Sequence, residues 1–418
     1  MKSDINKKIW DVIVIGGGPA GMMAAGKSAE RGRSVLLLEK NPTLGKKLLI
    51  TGGGRCNVTN NKPDVRTMLS KYKGNDKFLF SAFSQFAVGD ALQFFNRRGM
   101  ATKVEAEDRV FPVSNSAQSV WDVLVVYMKE NGVQVQANAA VAGITVDQAT
   151  EHIVITLKDG TELCARSCVV ATGGKSYPET GSNGEGFKWL KKLGHTIVAP
   201  DVALVPVSLK DSWVKKLGGV TLDNIKLTPY LDGVKQKAHK GKLLFTHFGI
   251  SGPTVLNMSK SIGEMLSNGT VEIMLDLFPA LDHSALKKEL QDLMVGQSNK
   301  RLKTVLATMM PSALVSALLV LLKIDGETPC HSVRSEERTK LVILLKAIPL
   351  HVEGLLGTDK AIVSSGGVSL QEINFKTMES RVVSHLYLVG DVLNIDRPSG
   401  GYSLQLCWTT GFVAGSCA

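Results

Sequence analysis

The spacing of apolar residues changes along the chain, and each change predicts an element. Asp11-Val-Ile-Val-Ile15 is a β-branched run that stops at Gly16-Gly17-Gly18-Pro19-Ala20-Gly21, as a buried parallel strand feeding a turn does. Met22, Ala25 and Ala29 follow at helical spacing up to Gly32, and Ser34 to Leu38 is a second apolar run closing on Glu39. The segment reads as strand, glycine turn, helix and strand, about 30 residues, the size of one crossover between parallel strands. Strand-like runs return at Val133–Val135, Ile153–Leu157 and Cys168–Ala171. Asp147 to Cys168 alternates around Asp159-Gly160, which predicts an antiparallel hairpin in place of another crossover. From Pro200 to Phe278 short alternating runs broken by Gly and Pro predict a separate β-rich module. Asp282 to Lys346 reads as helices, with Leu286, Leu290 and Leu293, then Leu302, Val305 and Met309, at helical spacing. A strand signal reappears at Leu386-Tyr-Leu-Val-Gly-Asp391, so the first domain is interrupted by an insert and completed near the C-terminus.

Composition narrows the class. The 418 residues are 44% apolar and 21% charged with both signs mixed, which excludes a disordered chain, and the 41 glycines have no period of three. Such a length points to more than one domain. Six cysteines, Cys56, Cys164, Cys168, Cys330, Cys407 and Cys417, form no C-x-x-C pair, a pattern of reducing compartments that predicts no metal site. The polar segment Met1 to Trp10 lacks a secretory signal, and Ala313–Leu322, bounded by Pro311 and Lys323, is shorter than the roughly 20 residues a membrane span needs. A cytoplasmic protein without membrane attachment is expected, with that segment as a buried helix. The net charge of +11 is dispersed, so a solvated surface is expected over a nucleic-acid stripe.

The glycine turn carries the first chemistry. Gly16 permits the tight turn, Gly18 lets backbone approach a pyrophosphate, Gly21 allows close helix packing, and the helix start offers free N–H groups to an anion. Glu39, at the end of the second strand, is placed to accept the hydroxyls of an adenosine ribose and disfavours a 2′-phosphate. One fingerprint near the N-terminus and Gly390-Asp391 near the C-terminus fit one long ligand, FAD, better than NAD. Asp391 is a candidate acceptor for ribityl hydroxyls, or a helix N-cap, and Gly400-Gly401-Tyr402-Ser403-Leu404 offers backbone N–H groups near the flavin ring. Gly181-Ser-Asn-Gly-Glu-Gly186 lacks a preceding strand, so no second nucleotide fingerprint is visible, and no C-x-x-x-x-C redox pair follows the first crossover.

Thr51-Gly-Gly-Gly-Arg-Cys-Asn-Val-Thr-Asn60, Ala171-Thr-Gly-Gly-Lys-Ser-Tyr-Pro178, Thr246-His-Phe-Gly-Ile-Ser-Gly-Pro253, Ser365-Gly-Gly-Val368 and Gly400-Gly-Tyr402 together resemble the BaiN/YhiN-like, or aminoacetone-oxidase-like, flavoproteins through essentially the whole chain. The resemblance implies FAD and an α/β fold: a discontinuous Rossmann-type domain over 1–197 and 356–418, an inserted β-barrel-like domain over 198–280 and 347–355, and a helical subdomain over 281–346. It also implies an oxidoreductase, with members acting on unlike substrates, including a C=C bond conjugated to a ketone in steroid acids. The residues agree: Thr51–Gly54 is a loop able to wrap the pyrophosphate, with Lys46 and Arg55 offsetting its charge, although Arg55 also reads as a surface cation. Cys56 reads as a buried neutral thiol, and Thr172-Gly173-Gly174 ends a strand at the cofactor. The candidate cofactor contacts are Gly16, Gly18, Pro19, Ala20, Gly21, Glu39, Lys40, Lys46, Arg55, Cys56, Asn57, Val135, Thr172, Gly173, Gly174, Gly390, Asp391, Gly401, Tyr402, Ser403 and Leu404.

His247 and Tyr402 are the candidates for proton delivery, and His195 reads as a helix-terminus contact. Arg397, Ser403, Asn394 and the Cys407-Trp408 order depart from the usual family pattern, and Arg397 reads as a cation beside the flavin that would stabilise its anionic reduced form. The expected activity is NAD(P)H-driven reduction of a small conjugated, enone-type substrate. An oxidase of a small amine and a flavin-containing RNA-binding or RNA-modifying protein are the alternatives.

Overall fold

The structure, a computed structural model, describes residues 8–62, 64–72, 74–356 and 363–418. The first seven residues of the polar start, and the junction just after residue 356, lie outside the described residues. The chain divides into two compact units, Met1–Val202 with Ile362–Ala418, and Ala203–Ala361.

The first unit is built on β1 (Ile9–Ile15), α1 (Pro19–Glu30) and β2 (Val35–Leu38). β1 runs parallel to β2 on one side and to the strand Glu162–Val170 on the other, with Ile15 opposite both Leu38 and Val170. Gln134–Gln136 extends the sheet beyond β2, and Leu386–Leu388 pairs in parallel with the end of Glu162–Val170, Leu388 opposite Val170. Five parallel strands therefore finish at one level. The hairpin expected around Asp159-Gly160 is present, Ile155 lying opposite Leu163, but its second strand continues into the parallel core, where one edge serves two partners. That double use escapes a reading of alternation alone.

The β1 and β2 interiors are almost wholly buried, which is why they are continuous apolar runs without alternation. α1 lies against the C-terminal helix Tyr402–Cys417, whose Gly411 and Gly415 let the backbones meet: a Cβ on Gly411 would sit 2.5 Å from the Ala20 carbonyl oxygen, and one on Gly415 2.6 Å from that of Ala24. In the same helix Trp408 is fully buried and donates from Nε1 to the Val58 carbonyl at 2.9 Å.

The second unit holds an antiparallel sheet closed on itself. Its six barrel strands run in the order Thr221–Leu231, His239–Thr246, Gly249–Ser251, Val207–Leu209, Ile348–Leu355 and Val271–Asp276, the last pairing back to the first. The helices His283–Gly296, Leu302–Leu306, Ser312–Leu322 and Ser335–Lys346 share one apolar core with this barrel. The apolar segment near residue 313 is a helix buried along one face only: Leu314, Val315, Leu318 and Leu319 are inside, whereas Val320 is 76% exposed. Among the described residues no helix is long and apolar enough to cross a membrane.

Candidate functional site

A cleft of about 1230 Å³, counting the part open to solvent, runs across the carboxyl ends of the parallel strands. Ligands of open α/β sheets bind at such strand ends. From β2 to Leu386–Leu388 is three strand spacings, about 14 Å at about 4.8 Å each, which suits an extended dinucleotide.

The middle of the cleft is the glycine turn. Gly16 has φ +107°, and a Cβ there would meet the Ala171 carbonyl oxygen at 2.5 Å, so only glycine lets β1 turn beside its neighbour. A Cβ on Gly21 would come within 1.9 Å of the Gly16 carbonyl oxygen, so Gly21 serves packing and does not line the cleft. Gly18 caps α1 without any side-chain hydrogen bond, leaving the first N–H groups of the helix to a ligand. At one end Glu39 is 8% exposed; its Oε2 accepts from the Gly17 N–H at 2.8 Å and its Oε1 from the Asn41 N–H and Nδ2 at 2.8 Å each. Lys40 pairs with Glu185 at 2.9 Å, and Lys46 donates to the Glu179 carbonyl at 2.8 Å. Burial opposes ionisation of Glu185, but its bonds to Lys40 and Lys158 win and hold it at about 2.

The other end carries a charged cluster. Lys47, on the short helix α2 (Lys46–Ile50), lines the cleft and donates from Nζ to Ser176 Oγ at 2.7 Å, with Asp391 Oδ2 at 3.7 Å. Asp391 Oδ1 accepts from Arg397, whose side chain is 1% exposed and also donates to Ser403 Oγ at 3.0 Å and the Ile395 carbonyl at 2.6 Å. Burial pushes the Asp391 carboxyl up, but Arg397 and Lys47 outweigh it and hold it below the usual range. Burial pulls the Lys47 ammonium down, with Asp391 opposing. The Cys407 thiol at this end is pushed by burial to about 12 and stays neutral.

Of the residues singled out from the sequence, the structure gathers Gly16, Gly18, Pro19, Ala20, Glu39, Lys40, Lys46, Thr172, Gly173, Asp391, Ser403 and Leu404 on the cleft. The rest lie elsewhere. Val135 is on the outermost parallel strand and 45% exposed, while Ala139 and Val141 beyond it form the wall. Arg55 is paired to Glu105 at 2.5 Å and stacks over Phe111, its centre 4.2 Å from the ring, which is the surface-cation reading. Cys56 is fully buried, its thiol pushed to about 12. Asn57 joins two loops: with its amide oriented to suit its neighbours, Nδ2 donates to the Thr59 carbonyl at 2.8 Å and Oδ1 accepts from the Gly401 N–H at 3.0 Å. Gly401 has φ +98°, and a Cβ there would meet the Thr59 carbonyl carbon at 2.3 Å. Gly390 donates its N–H to Thr410 Oγ1 at 3.0 Å, and Gly174 is buried and does not line the cleft. Asp391 lies in a short 3-10 turn, Gly390–Val392, with its carboxylate committed to Arg397 and Lys47, not to capping. Arg397, expected as a cation beside the flavin, does not line the cleft; its side chain is buried and paired with Asp391.

Tyr402 is buried, with its carbonyl accepting from the Tyr72 hydroxyl at 2.9 Å. His247 is exposed at the turn after the barrel strand His239–Thr246 of the second unit. His195 is buried between Glu372, at 3.2 Å, and Ser380, at 3.0 Å. Lys47, Asn41, Trp189 and Cys407 were not singled out from the sequence as contacts. The glycine segment set aside as a second fingerprint supplies Gly181, Ser182, Asn183 and Glu185 to this same cleft. Among the described residues no group of three or more His, Cys, Asp or Glu is placed to hold a metal.

The donor set fits FAD. The fixed buried acid at the end of β2 suits a ribose, the open start of α1 suits a pyrophosphate, and Thr172, on the cleft wall, keeps its buried Oγ1 without a protein partner. The HI0933-like protein Rossmann domain family matches residues 10–417. The 3-dehydro-bile acid delta(4,6)-reductase of Clostridium scindens is 31% identical over 409 residues, 97% of this chain and 98% of that protein. The ribosomal RNA dihydrouridine synthase of Escherichia coli is 30% identical over 409 residues, 97% and 96% of the two chains. The fold is shared with a flavocytochrome c3 fumarate reductase in its open conformation, at a TM-score of 0.53, 17% identity and coverage of 98% and 78%. It is shared too with the 3-ketosteroid-delta4-(5alpha)-dehydrogenase of Rhodococcus jostii, at a TM-score of 0.52, 15% identity and coverage of 99% and 98%. A cleft shaped for a flavin dinucleotide and a family match running through both units agree, and the chain belongs to the HI0933-like family of FAD-dependent oxidoreductases.

Proposed function

We propose that the protein reduces a carbon–carbon double bond conjugated to a carbonyl in a small enone-type substrate, with NAD(P)H as the source of electrons. The observation that carries this reading is the likeness, over 97% of the chain, to a reductase named for removing double bonds from a 3-dehydro bile acid. FAD supplies hydride chemistry when bound. The chain's own residues hold it by its ribose at Glu39 and by its pyrophosphate at the start of α1. Reduction of an enone also consumes a proton, and an acid must deliver it. Tyr402 is the candidate preferred over His247, since it adjoins the cleft residue Ser403, and burial raises its phenol so that it keeps its proton at neutral pH.

A second reading keeps the chemistry and changes the substrate. Uridine also carries a double bond conjugated to a carbonyl, and the relative named for dihydrouridine synthesis is 30% identical over the same span. Anaerobic mixing of the purified protein with NADH and NADPH, followed by flavin absorbance, tests the first reading. Bleaching by one nicotinamide and recovery on adding a steroid enone is expected. Steady peroxide production from an amine without nicotinamide overturns it in favour of an oxidase. Recovery with uridine-containing RNA and not with enones selects the second reading.

A further inference from the structure

Lys47, Asp391 and Arg397 form a group of three charges, Arg397 buried and the other two half-buried, and their arrangement fixes which of them the cleft feels. Asp391 makes its direct contact with Arg397, whereas Lys47 stands 3.7 Å from its second oxygen. Arg397 spends its remaining donors on Ser403 and the Ile395 carbonyl, is 1% exposed, and is absent from the cleft wall. Lys47 is on that wall, and its short bond goes to a neutral hydroxyl, Ser176 Oγ at 2.7 Å. Two cations and one carboxylate leave a sum of +1. The Cys407 thiol and the Tyr72 phenol add no charge, since burial keeps both protonated. The other charges on the cleft, Glu39, the Lys40–Glu185 pair and Lys46, which donates to the Glu179 carbonyl, stand at its opposite end.

A buried charge without a full partner is costly unless something compensates it. Lys47 is half-buried, and its open side faces the cleft, where a ligand that displaces solvent becomes its partner. Were Arg397 apolar, Asp391 would neutralise Lys47 and the end of the cleft would be uncharged. Arg397 therefore acts through Asp391, as a positioning residue, and Lys47 displays the result.

We infer that this cluster presents one surplus positive charge to the cleft through Lys47, and that the charge favours the reduced, negatively charged form of the bound FAD. The inference rests on FAD occupying the cleft and not on which substrate is reduced. Two anionic parts of the cofactor offer themselves to such a charge: the ring system, negative only after reduction, and the pyrophosphate, negative always. The surplus charge serves the first, because α1 already provides for the second at the middle of the cleft.

The test is the midpoint potential of the FAD-bound protein, measured without substrate against a reference dye. Lys47→Met and Arg397→Met are each expected to lower the reduction equilibrium constant about tenfold, about 30 mV for a two-electron couple. Lys47→Arg is expected to keep the parent value. An unchanged midpoint in Arg397→Met overturns the inference, as does loss of FAD affinity in Lys47→Met with the midpoint retained, which would assign the ammonium to the pyrophosphate. Should Arg397→Met fail to fold, equal midpoints in Lys47→Arg and Lys47→Met overturn it instead. No enone enters these measurements, so failure of the substrate reading leaves their outcome untouched.

Discussion

Glu39 Oε2 and the Gly17 N–H lie 2.8 Å apart, so the acid at the end of β2 is fastened to the glycine turn that follows β1. The carboxylate is held on both oxygens before any ligand arrives, which removes the cost of ordering it on binding. Replacing Glu39 by Ala leaves the Gly17 and Asn41 donors unpaired in a buried place and deletes the proposed ribose contact. Loss of about 1–3 kcal/mol of FAD binding is expected, read as a lower flavin-to-protein ratio after purification and a higher Kd on titration. Full retention of FAD would show that the carboxylate does not hold the ribose.

Close contact between α1 and the C-terminal helix depends on Gly411, where a Cβ has no room beside the Ala20 carbonyl. Gly411→Leu should force the helices apart and cost about 1–3 kcal/mol, with a melting temperature several degrees lower and weakened flavin retention, since Ala20 and Leu404 both line the cleft. A melting curve unchanged by this substitution would contradict the packing.

The buried His195, set between Glu372 and Ser380, gives stability a pH dependence. Burial lowers its pKa below the ordinary 6.5, against the pull of Glu372. The folded protein thus prefers the neutral ring, and the unfolded chain takes up the proton first as the pH falls. Stability is full above pH 6.5 and declines below it, by up to about 1.4 kcal/mol per pH unit until the folded-state ring also protonates. Urea midpoints measured from pH 7.5 to 5 should fall more steeply in the parent than in His195→Gln. Parallel profiles would remove His195 as the source.

Much of the nucleotide-binding half was legible in the residues because its signals are local. Strand, glycine turn, helix and acid follow one another within residues 11–39, and each obeys short-range rules of turn, periodicity and capping. What escaped was set by pairings across the chain. Lys47 meets Asp391 more than 300 residues later in sequence, and no spacing rule connects them. Arg55 looked like a phosphate ligand until its partner Glu105 and the Phe111 face were in view. The glycine-rich stretch 181–186 lacks the preceding strand of a separate fingerprint, yet it forms a wall of the cleft, because the fold returns it to Lys40 and Asn41.

The helix Tyr402–Cys417, with Trp408 bonded to Val58 and its two glycines against α1, also dictates the order in which the protein is completed. During synthesis the ribosome releases β1, α1 and β2 first, but the groove on α1 stays bare until some 360 further residues have emerged. The barrel and its helices, contiguous in sequence, can mature in the meantime, whereas the cleft in the first unit is complete only once residues 402–417 have emerged and docked.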